Sequence, residues 1–410
     1  MPRVIFLHPD LGIGGAERLV VDAAVALKSK ENDVAFITSH HDPNHSFAET
    51  KNGTIPVTVV GDWIPRQIFG FCHAMCAYIR MVYAAIYLGI FFSNIQYDLV
   101  ICDQISVCIP VLKCKKNAKV LFYCHYPDLL LSKRNSWLKK LYRAPLDWCE
   151  EFTTRMADTI LVNSHFTEMT VRKTFSSLSS ANLQVLYPSL NFSAFDKPLQ
   201  GSVTDFVVLK NVKTVFLSIN RYERKKHLDL AIKAFGNLKS LTKPNTWKEL
   251  HLIMAGGYDT RVKENVEHHA ELCSLVDDLE LSDKVTFLKS FTDDQKKLLL
   301  HTCTALLYTP ENEHFGIVPI EAMYMARPVI AVNSGGPLET VKNDETGFLC
   351  DPTESAFAAE MLKFVKDKSL AREFGIYGKK HVQKNFSFTS FAEKLDSVTK
   401  SLLQSSAHSE

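Results

Sequence analysis

The sequence lacks an excess of charge of either sign. Lysine and arginine together number 47, and aspartate and glutamate together number 45. Proteins that bind nucleic acid usually carry a larger basic excess, so this balance argues against nucleic acid as a partner. The charge balance selects no other partner by itself.

Metal-ligand cysteine pairs and a secretory signal are also missing. The closest cysteine pair, Cys72 and Cys76, lies in an apolar stretch, and other cysteines such as Cys102 and Cys124 also lie in apolar segments. This is typical of reduced thiols packed as small hydrophobic side chains. The amino-terminal apolar run, residues 4–7, is too short for a secretory signal and is typical of a first β-strand. We therefore expect a protein that is exposed to the cytosol.

The composition is that of a folded protein, with 46% hydrophobic and 22% charged residues. A length of 410 residues is too great for one compact core and fits two domains. Short apolar runs alternate with helical patterns, for example at residues 16–30, 137–157 and 226–241. The predicted strands are residues 4–8, 34–38, 56–60, 99–102, 120–124, 159–162, 183–186, 215–219, 251–255, 285–288, 305–308 and 329–332. This alternation predicts parallel sheets that are covered by helices.

The alternation is interrupted at residues 188–211, which are rich in Ser, Asn, Pro and Gly. We therefore predict an α/β protein of two doubly wound, Rossmann-like domains, residues 1–200 and 201–388, followed by a C-terminal helix and tail at 389–410. Ligands bind such sheets at the carboxyl ends of the strands. We expect the two domains to face each other across a ligand-binding cleft.

Two glutamates, Glu313 and Glu321, lie eight positions apart in the stretch NEHFGIVPIEA. Pro319 is tolerated only in the first turn of a helix, which puts the helix start near Gly316. Eight helical residues span roughly 12 Å. Paired glycosidase carboxylates lie about 5–9.5 Å apart, which disfavours a hydrolytic pair. The amides at the helix start can instead bind a diphosphate, with each glutamate accepting hydroxyl hydrogen bonds at one end of a nucleotide sugar. These amides belong to Phe315, Gly316, Ile317 and Val318. A solvated loop acid and a helix-start acid are the alternative.

A second anion site is indicated by the stretch SINRYERKKHL. Arg221 follows a strand, and Lys226 opens the next predicted helix. Two fixed cations can neutralise a pyrophosphate and stabilise it as it leaves. Lys225 is a rival to Lys226 for this role, and ordinary solvated basic residues are the alternative.

Two features of the first domain follow strand ends. The stretch HPDLGIGGAER has glycines at Gly12, Gly14 and Gly15, which permit a tight turn and a close approach to a ligand. The order differs from the dinucleotide fingerprint, so a nicotinamide site is disfavoured. His125 ends the run KVLFYCH and can orient a substrate or exchange a proton in the cleft. A plain turn and a packed histidine are the alternatives.

Together these motifs resemble those of retaining glycosyltransferases of the GT-B fold and the GT4 group, along nearly the whole chain. The stretches GGAERLV, FYCHYPDLLL, NRYERKK, EHFGIVPIEAMY and NSGGPLE occur in order. They resemble most the mannosyltransferases that extend dolichol-linked oligosaccharides. His314 departs from the commoner family pattern, which has a small residue there.

The resemblance implies a GDP-mannose donor bound mainly by the second domain, and no metal cofactor. It implies that Arg221 and Lys226 bind the diphosphate, Glu313 the mannose hydroxyls and Glu321 the ribose. It further implies that Gly14 and Gly15 approach the phosphate or the acceptor, and that His125 contacts the reacting sugar. The acceptor would be a dolichol-diphosphate-linked oligosaccharide that gains α-1,3 and α-1,6 branches in N-glycan precursor synthesis. The endoplasmic reticulum membrane, with the catalytic domains on its cytosolic face, and other enzymes of the same pathway are the further partners implied.

A lipid acceptor requires a way to reach a bilayer, and two segments are candidates. Residues 68–92 are almost wholly apolar, with Arg80 near the middle. A charge at the bilayer centre costs roughly 2.5–3.5 kcal/mol, which disfavours a helix that spans the bilayer. The alternatives are a helix embedded in one leaflet, a helix packed on the sheet and, at that cost, a spanning helix. Residues 129–148 predict a basic amphipathic helix suited to anionic headgroups, with a solvated helix as the alternative. Its basic residues are Lys133, Arg134, Lys139, Lys140 and Arg143.

Three other functions remain as alternatives. One is a GT4-type glycosyltransferase with a different nucleotide sugar or lipid acceptor. Another is a non-catalytic, membrane-bound scaffold that keeps its affinity for nucleotide sugars. A sugar-nucleotide epimerase or a phosphorylase would need a dinucleotide fingerprint or a cofactor lysine, and neither is evident in the sequence.

Overall fold

A computed structural model describes residues 1–68, 72–91, 97–115, 118–132 and 136–407. The chain divides into two compact units. Unit 1 comprises Met1–Ser189 and Phe388–Glu410, and unit 2 comprises Leu190–Ser387. The predicted boundary at residue 200 lies inside unit 2, and the predicted C-terminal helix belongs to unit 1.

Unit 1 is built on a seven-stranded parallel sheet with the order β3-β2-β1-β4-β5-β6-β7. Its strands are β1 (Arg3–His8), β2 (Asp33–Thr38), β3 (Val57–Val59), β4 (Leu99–Asp103), β5 (Lys119–Cys124), β6 (Thr159–Val162) and β7 (Leu183–Val185). Its helices are α1 (Gly15–Ser29), α2 (Ala48–Lys51), α3 (His73–Phe91), α4 (Ile109–Leu112), α5 (Asp128–Leu131), α6 (Trp137–Thr154), α7 (His165–Thr174) and, at the end of the chain, α17 (Phe388–Ala407). The strands are continuous apolar runs because both faces of the sheet are buried.

Unit 2 has a six-stranded parallel sheet with the order β10-β9-β8-β11-β12-β13. Its strands are β8 (Thr214–Ile219), β9 (Leu250–Gly256), β10 (Val285–Lys289), β11 (Ala305–Tyr308), β12 (Val329–Val332) and β13 (Gly347–Cys350). Its helices are α8 (Phe192–Asp196), α9 (Leu228–Leu241), α10 (Pro244–Lys248), α11 (Lys263–Asp278), α12 (Asp293–Thr302), α13 (Ile317–Tyr324), α14 (Pro337–Thr340), α15 (Glu354–Lys366) and α16 (Lys368–Asn385). Short 3-10 helices lie in unit 1 at Pro43–His45, Ser106–Cys108 and Ser176–Leu178, and in unit 2 at Val203–Asp205 and Arg224–Lys226.

The two sheets confirm the predicted fold class of two doubly wound α/β domains. In each sheet the strand order reverses at one point, between β1 and β4 in unit 1 and between β8 and β11 in unit 2. Ligands bind at the carboxyl ends of the strands next to such a reversal. We therefore expect ligand-binding side chains in the loops that follow β1, β4 and β5 in unit 1 and β8 and β11 in unit 2.

The last helix, α17, completes the core of unit 1. It packs against α1, and its apolar side chains share a cluster with those of α1 and the sheet. The buried side chains that α17 adds to this cluster are Phe391, Ala392, Leu395, Val398 and Leu402. Unit 1 is therefore formed from two separate stretches of the chain.

Candidate functional site

In unit 2 the loop between β11 and α13 carries the first predicted glutamate. The helix begins at Ile317, after Gly316, whose φ of 81° lies in the left-handed region that favours glycine. Pro319 lies in the first turn, as the sequence predicts. The amides of Ile317 and Val318 belong to that turn, where no intrahelical carbonyl accepts from them. The helix start therefore offers donors of the predicted kind.

The carboxylate of Glu313 forms an ion pair with the ammonium group of Lys226. The two side chains are 21% and 13% exposed, respectively. Burial alone would raise the pKa of Glu313, but the charge of Lys226 outweighs this effect and lowers the pKa below its usual value. Tyr308, a buried residue at the end of β11, also contacts this carboxylate, and burial together with Glu313 raises the pKa of its hydroxyl group. Glu313 is therefore held as an anion next to one fixed cation.

The glycine pair in the NSGGPLE stretch supports the Glu313 loop from the next strand connection. The amide of Gly336 donates to the carbonyl oxygen of Glu313 at 2.7 Å. A Cβ atom at Gly336 would overlap the backbone of Phe315, and one at Gly335 would lie less than 3.0 Å from the backbone of Glu313. Gly335 also has a φ of 65°. Both positions therefore require glycine, because any side chain would push the loop away.

Arg221 and Lys225 have environments that differ from that of Lys226. Both pair with Glu223, at 2.8 Å from Arg221 and 3.2 Å from Lys225. The Arg221 and Lys225 side chains are 63% and 68% exposed. Of the two neighbouring lysines, Lys226 is the one that lies against Glu313. Arg221 lies two residues beyond the end of β8, where its exposed guanidinium can reach a ligand.

Glu321 lies inside α13 and is buried. Its carboxylate accepts a hydrogen bond from the ammonium group of Lys296 on α12 at 2.8 Å. Burial raises the pKa of Glu321, and Lys296 offsets this effect only in part. The sequence did not predict this partner. Lys296 is far from Glu321 along the chain and has no motif around it.

The predicted glycine turn of unit 1 lies between β1 and α1. Gly14 precedes α1 with an extended φ of −165°, and none of Gly12, Gly14 and Gly15 has a positive φ. The chain does turn tightly here, since the amide of Gly12 donates to the carbonyl oxygen of Asp10 at 3.1 Å, but no positive φ requires glycine. A Cβ atom at Gly15 would meet no atom within 4 Å, so the backbone there is open to approach by another molecule.

His125 follows β5 in unit 1 and is held on three sides. Its Nε2 atom lies 3.0 Å from Oδ2 of Asp103, and its ring packs 4.8 Å from the ring of Tyr123. Its carbonyl oxygen accepts from the side-chain amide of Asn163 at 3.1 Å. The other carboxylate oxygen of Asp103 lies 2.7 Å from Nδ1 of His8. The ends of β1, β4 and β5 thus bring two histidines to one buried carboxylate, which the sequence did not predict.

Helix α3 packs one face on the sheet of unit 1, and Arg80 belongs to the buried part of the helix. The guanidinium of Arg80 donates to the carbonyl oxygen of Ser39 at 2.7 Å and lies 3.4 Å from Asp62. The helix is long and apolar enough to cross a bilayer by length and composition alone, a test that core helices of soluble proteins also pass. Its outer face exposes Ile79, Tyr83, Ile86 and Ile90. Of the predicted segment, residues 69–71 and 92 lie outside the described residues.

Helix α6 lies beside α3, since Tyr142 on α6 accepts from the amide of Met75 at 3.1 Å. Its outer face exposes Trp137, Leu138, Leu141, Trp148 and Phe152. Lys139 and Lys140 are exposed as well. The assignment of Arg143 to a headgroup surface was wrong, because this residue is buried and pairs with Asp128 and Asp147. Lys133 and Arg134 lie outside the described residues.

The described part of the chain contains no group of three or more His, Cys, Asp or Glu side chains that could hold a metal ion. The free cysteines are mostly buried in the cores, in agreement with the interpretation as packed thiols.

Known protein families match both halves of the chain. The family model for glycosyltransferase family 4 matches residues 13–193, and that for glycosyl transferases group 1 matches residues 205–381. Among solved structures, sucrose-phosphate synthase from Thermosynechococcus elongatus has a TM-score of 0.76 at 20% identity, covering 99% of this chain and 100% of that one. The catalytic domain of starch synthase IV from Arabidopsis thaliana has a TM-score of 0.72 at 14% identity, covering 99% of both chains. These likenesses show the fold.

Two curated relatives are similar along almost their whole length. The alpha-1,3/1,6-mannosyltransferase of Homo sapiens is 53% identical, covering 96% of this chain and 94% of its own. That of Rhizomucor pusillus is 47% identical, covering 97% and 91%. The chain therefore belongs to the alpha-1,3/1,6-mannosyltransferase family and is a glycosyltransferase of the GT-B fold.

Proposed function

We propose that this enzyme transfers mannose from GDP-mannose to a dolichol-diphosphate-linked oligosaccharide with retention of configuration. The product gains α-1,3 and α-1,6 branches on the way to the N-glycan precursor. The observation that carries the proposal is the 53% identity to the human alpha-1,3/1,6-mannosyltransferase over 96% of the chain. The geometry of unit 2 supports it, because a carboxylate, a paired cation and a helix start lie together there.

The diphosphate of the donor binds to unit 2. Lys226 and the exposed guanidinium of Arg221 supply positive charge, and the amides of Ile317 and Val318 supply hydrogen bonds. The backbone around Phe315 and Gly316 completes this part of the site. No metal is needed in this scheme, and turnover should persist in EDTA. A loss that Mg²⁺ or Mn²⁺ restores would contradict that part of the proposal.

The two glutamates bind opposite ends of the donor. Glu313 is kept ionised by Lys226, which makes it a strong acceptor for the mannose hydroxyls. Glu321 binds the ribose, and Lys296 orients its carboxylate. From unit 1, Gly14 and Gly15 approach the phosphate or the acceptor, and His125 contacts the reacting sugar.

In the transfer step the bond between C1 of mannose and the diphosphate oxygen breaks. The acceptor hydroxyl oxygen forms its new bond to C1 on the same face, so the configuration is retained. The hydroxyl proton passes to the departing diphosphate. Charge that develops on this leaving group is stabilised by Arg221, Lys226 and the amides at the helix start.

The enzyme works on the cytosolic face of the endoplasmic reticulum membrane, where its lipid acceptor lies. The outer faces of α3 and α6 carry exposed apolar side chains, and Lys139 and Lys140 add positive charge. An apolar face with flanking cations suits an anionic lipid surface. Because the inner face of α3 packs on the sheet, we propose that the helix embeds its outer face in one leaflet.

The decisive experiment incubates purified enzyme with GDP-mannose and a dolichol-diphosphate-linked acceptor and follows the mannosylated product. The Glu313→Gln variant should lose about 100-fold or more in turnover, as for the removal of one transition-state contact, while still binding GDP. Glu311→Gln is the matched control, because Glu311 is two residues away and lies 3.9 Å from His227. GDP should stabilise the protein against heat more than UDP does, and Arg221→Ala should weaken this effect. Wild-type turnover in Glu313→Gln, or stronger stabilisation by UDP, would refute the proposal.

A further inference from the structure

Asp103, the last residue of β4, is almost completely buried and touches two imidazole rings. Its Oδ1 atom lies 2.7 Å from Nδ1 of His8, and its Oδ2 atom lies 3.0 Å from Nε2 of His125. His8 is equally buried, whereas the His125 side chain is 23% exposed. The carboxylate therefore lies between one buried ring and one that reaches the surface of unit 1.

The partners of His8 determine its protonation state. Its Nδ1 atom faces the carboxylate of Asp103, and its Nε2 atom lies 2.9 Å from the carbonyl oxygen of Asp10. Both partners can only accept, so both ring nitrogens must carry a proton. Burial alone would lower the pKa of His8, but the charge of Asp103 and its hydrogen bond outweigh this effect and raise the pKa. His8 is thus the cation that balances the buried carboxylate.

His125 is then left with one tautomer. Because Asp103 accepts from Nε2, this nitrogen carries the proton, and in the neutral form of the ring it is Nδ1 that keeps a lone pair. Among the residues that the structure describes, Nδ1 of His125 has no hydrogen-bond partner. A sugar hydroxyl group that donates a hydrogen bond is the chemical partner that this nitrogen fits.

We propose that Asp103 and His8 are positioning residues that fix the ring of His125 in its Nε2–H tautomer and so make Nδ1 an acceptor for a hydroxyl of the transferred sugar. The inference rests on the proposed function, in which His125 contacts that sugar. Neither positioning residue touches the substrate. Both act through the ring of His125.

The Asp103→Asn variant provides the first test. A side-chain amide at this position donates to Nε2 of His125, which moves the ring proton to Nδ1 and removes the acceptor. We expect kcat to fall about tenfold or more, because the sugar loses one hydrogen bond, and we expect the affinity for GDP to stay unchanged. In the His125→Ala background the same change should lower kcat by less than about twofold. The effect of Asp103 passes through the ring of His125, and this background lacks that ring. An equal loss in both backgrounds, or full turnover in His125→Ala, would overturn the inference.

A second readout does not depend on turnover. In ¹⁵N-histidine-labelled enzyme, NMR should show the Nε2–H tautomer for His125 and its inversion in Asp103→Asn. In His8→Gln the carboxylate loses its imidazole partner at Oδ1, and the ring signals of His125 should shift. An unchanged His125 spectrum in both variants would overturn the inference. If wild-type enzyme transfers no mannose, the proposed function fails, and the spectrum still decides the role of Asp103.

Discussion

Glu313 and Glu321 look alike in the sequence, but their surroundings give them opposite electrostatics. Glu313 lies against Lys226, which lowers its pKa below the usual value. Glu321 is more deeply buried, and its pKa is raised although Lys296 is 2.8 Å away. A sequence pattern can show that two acids flank a helix start. It cannot show which cations pair with them, because Lys226 lies in the 3-10 helix after β8 and Lys296 lies on α12.

Glu150 on α6 has the clearest pH dependence of the described carboxyl groups. Its oxygens accept from the amides of Asp128 and Leu129 at 2.7 and 3.0 Å, and burial raises its pKa to about 7. Because the folded-state pKa lies above the unfolded value of 4.5, the folded protein disfavours the ionised form. Its contribution to stability is therefore full at low pH and is lost as the pH rises from about 4.5 to about 7.

The Glu150→Gln variant removes this titration. We expect it to melt above the wild type at pH 8 and to lose that advantage at pH 5, as measured by thermal unfolding across this range. Glu393→Gln on α17 is the control, because Glu393 is exposed and should show the wild-type pH dependence. Parallel wild-type and Glu150→Gln curves would contradict the pKa assignment.

At the scale of the elements, the strands were the most predictable part of the molecule. A parallel strand buried on both faces is a short, uninterrupted apolar run, which is visible in one sequence. Strand β13 was missed because it is short and begins with Gly347, where a Cβ atom would overlap the backbone of Val329. The helix predicted from residue 226 begins at Leu228, because His227 has a φ of 48° and ends a 3-10 turn.

The candidate site was predictable as motifs and not as contacts. The Glu313, Arg221 and Lys226 positions follow strands, and their residue types indicate anion chemistry. The pairing of Asp103 with two histidines joins residues 95 and 22 positions apart, a separation that no local pattern records. The glycines before α1 are a different case, because the chain turns there without a positive φ at Gly12, Gly14 or Gly15.

The loop that carries Glu313 depends on the glycine pair in the neighbouring loop. We expect Gly336→Ala to cost about 1–3 kcal/mol of unfolding free energy, as overpacking does, and to abolish most turnover because the loop is displaced. Chemical denaturation and the mannosyl transfer assay measure both effects. Gly236→Ala on α9 is the matched control, because its Cβ atom would lie 3.5 Å from Leu281, an ordinary contact. Equal behaviour of the two variants would show that the close approach is relieved elsewhere.

The outer face of α6 should control attachment to lipid. The double variant Leu141→Gln/Trp148→Gln should bind vesicles of phosphatidylcholine and phosphatidylserine with an affinity that is lower by about tenfold or more. Each apolar side chain that is buried in the lipid contributes about 1.5–3 kcal/mol to the binding free energy. Vesicle flotation measures the bound fraction. Val208→Gln is the control, since Val208 is an exposed apolar residue of unit 2. Flotation of the double variant at the wild-type level would contradict the membrane assignment.

At the scale of the whole molecule, unit 1 depends on the last helix of the chain. Leu395 of α17 is buried in the core of unit 1. Leu395→Ala should cost about 2–5 kcal/mol, and hydrogen exchange should report the loss in residues 1–189. Lys394→Ala, an exposed change on the same helix, should stay within about 0.5 kcal/mol of the wild type. Faster exchange confined to unit 2 would show that α17 does not stabilise unit 1.

The division of unit 1 into two stretches also has a consequence for synthesis on the ribosome. Residues 190–387 can fold as soon as they emerge, whereas the first 189 residues must wait for α17 to cover their core. At about 5–20 residues per second, translation of the intervening unit keeps apolar surface of unit 1 uncovered for roughly 10–40 s. During that interval the nascent chain is a client for chaperones. Changes in α17 should therefore lower the yield of newly made enzyme more than they lower the activity of enzyme that has already folded.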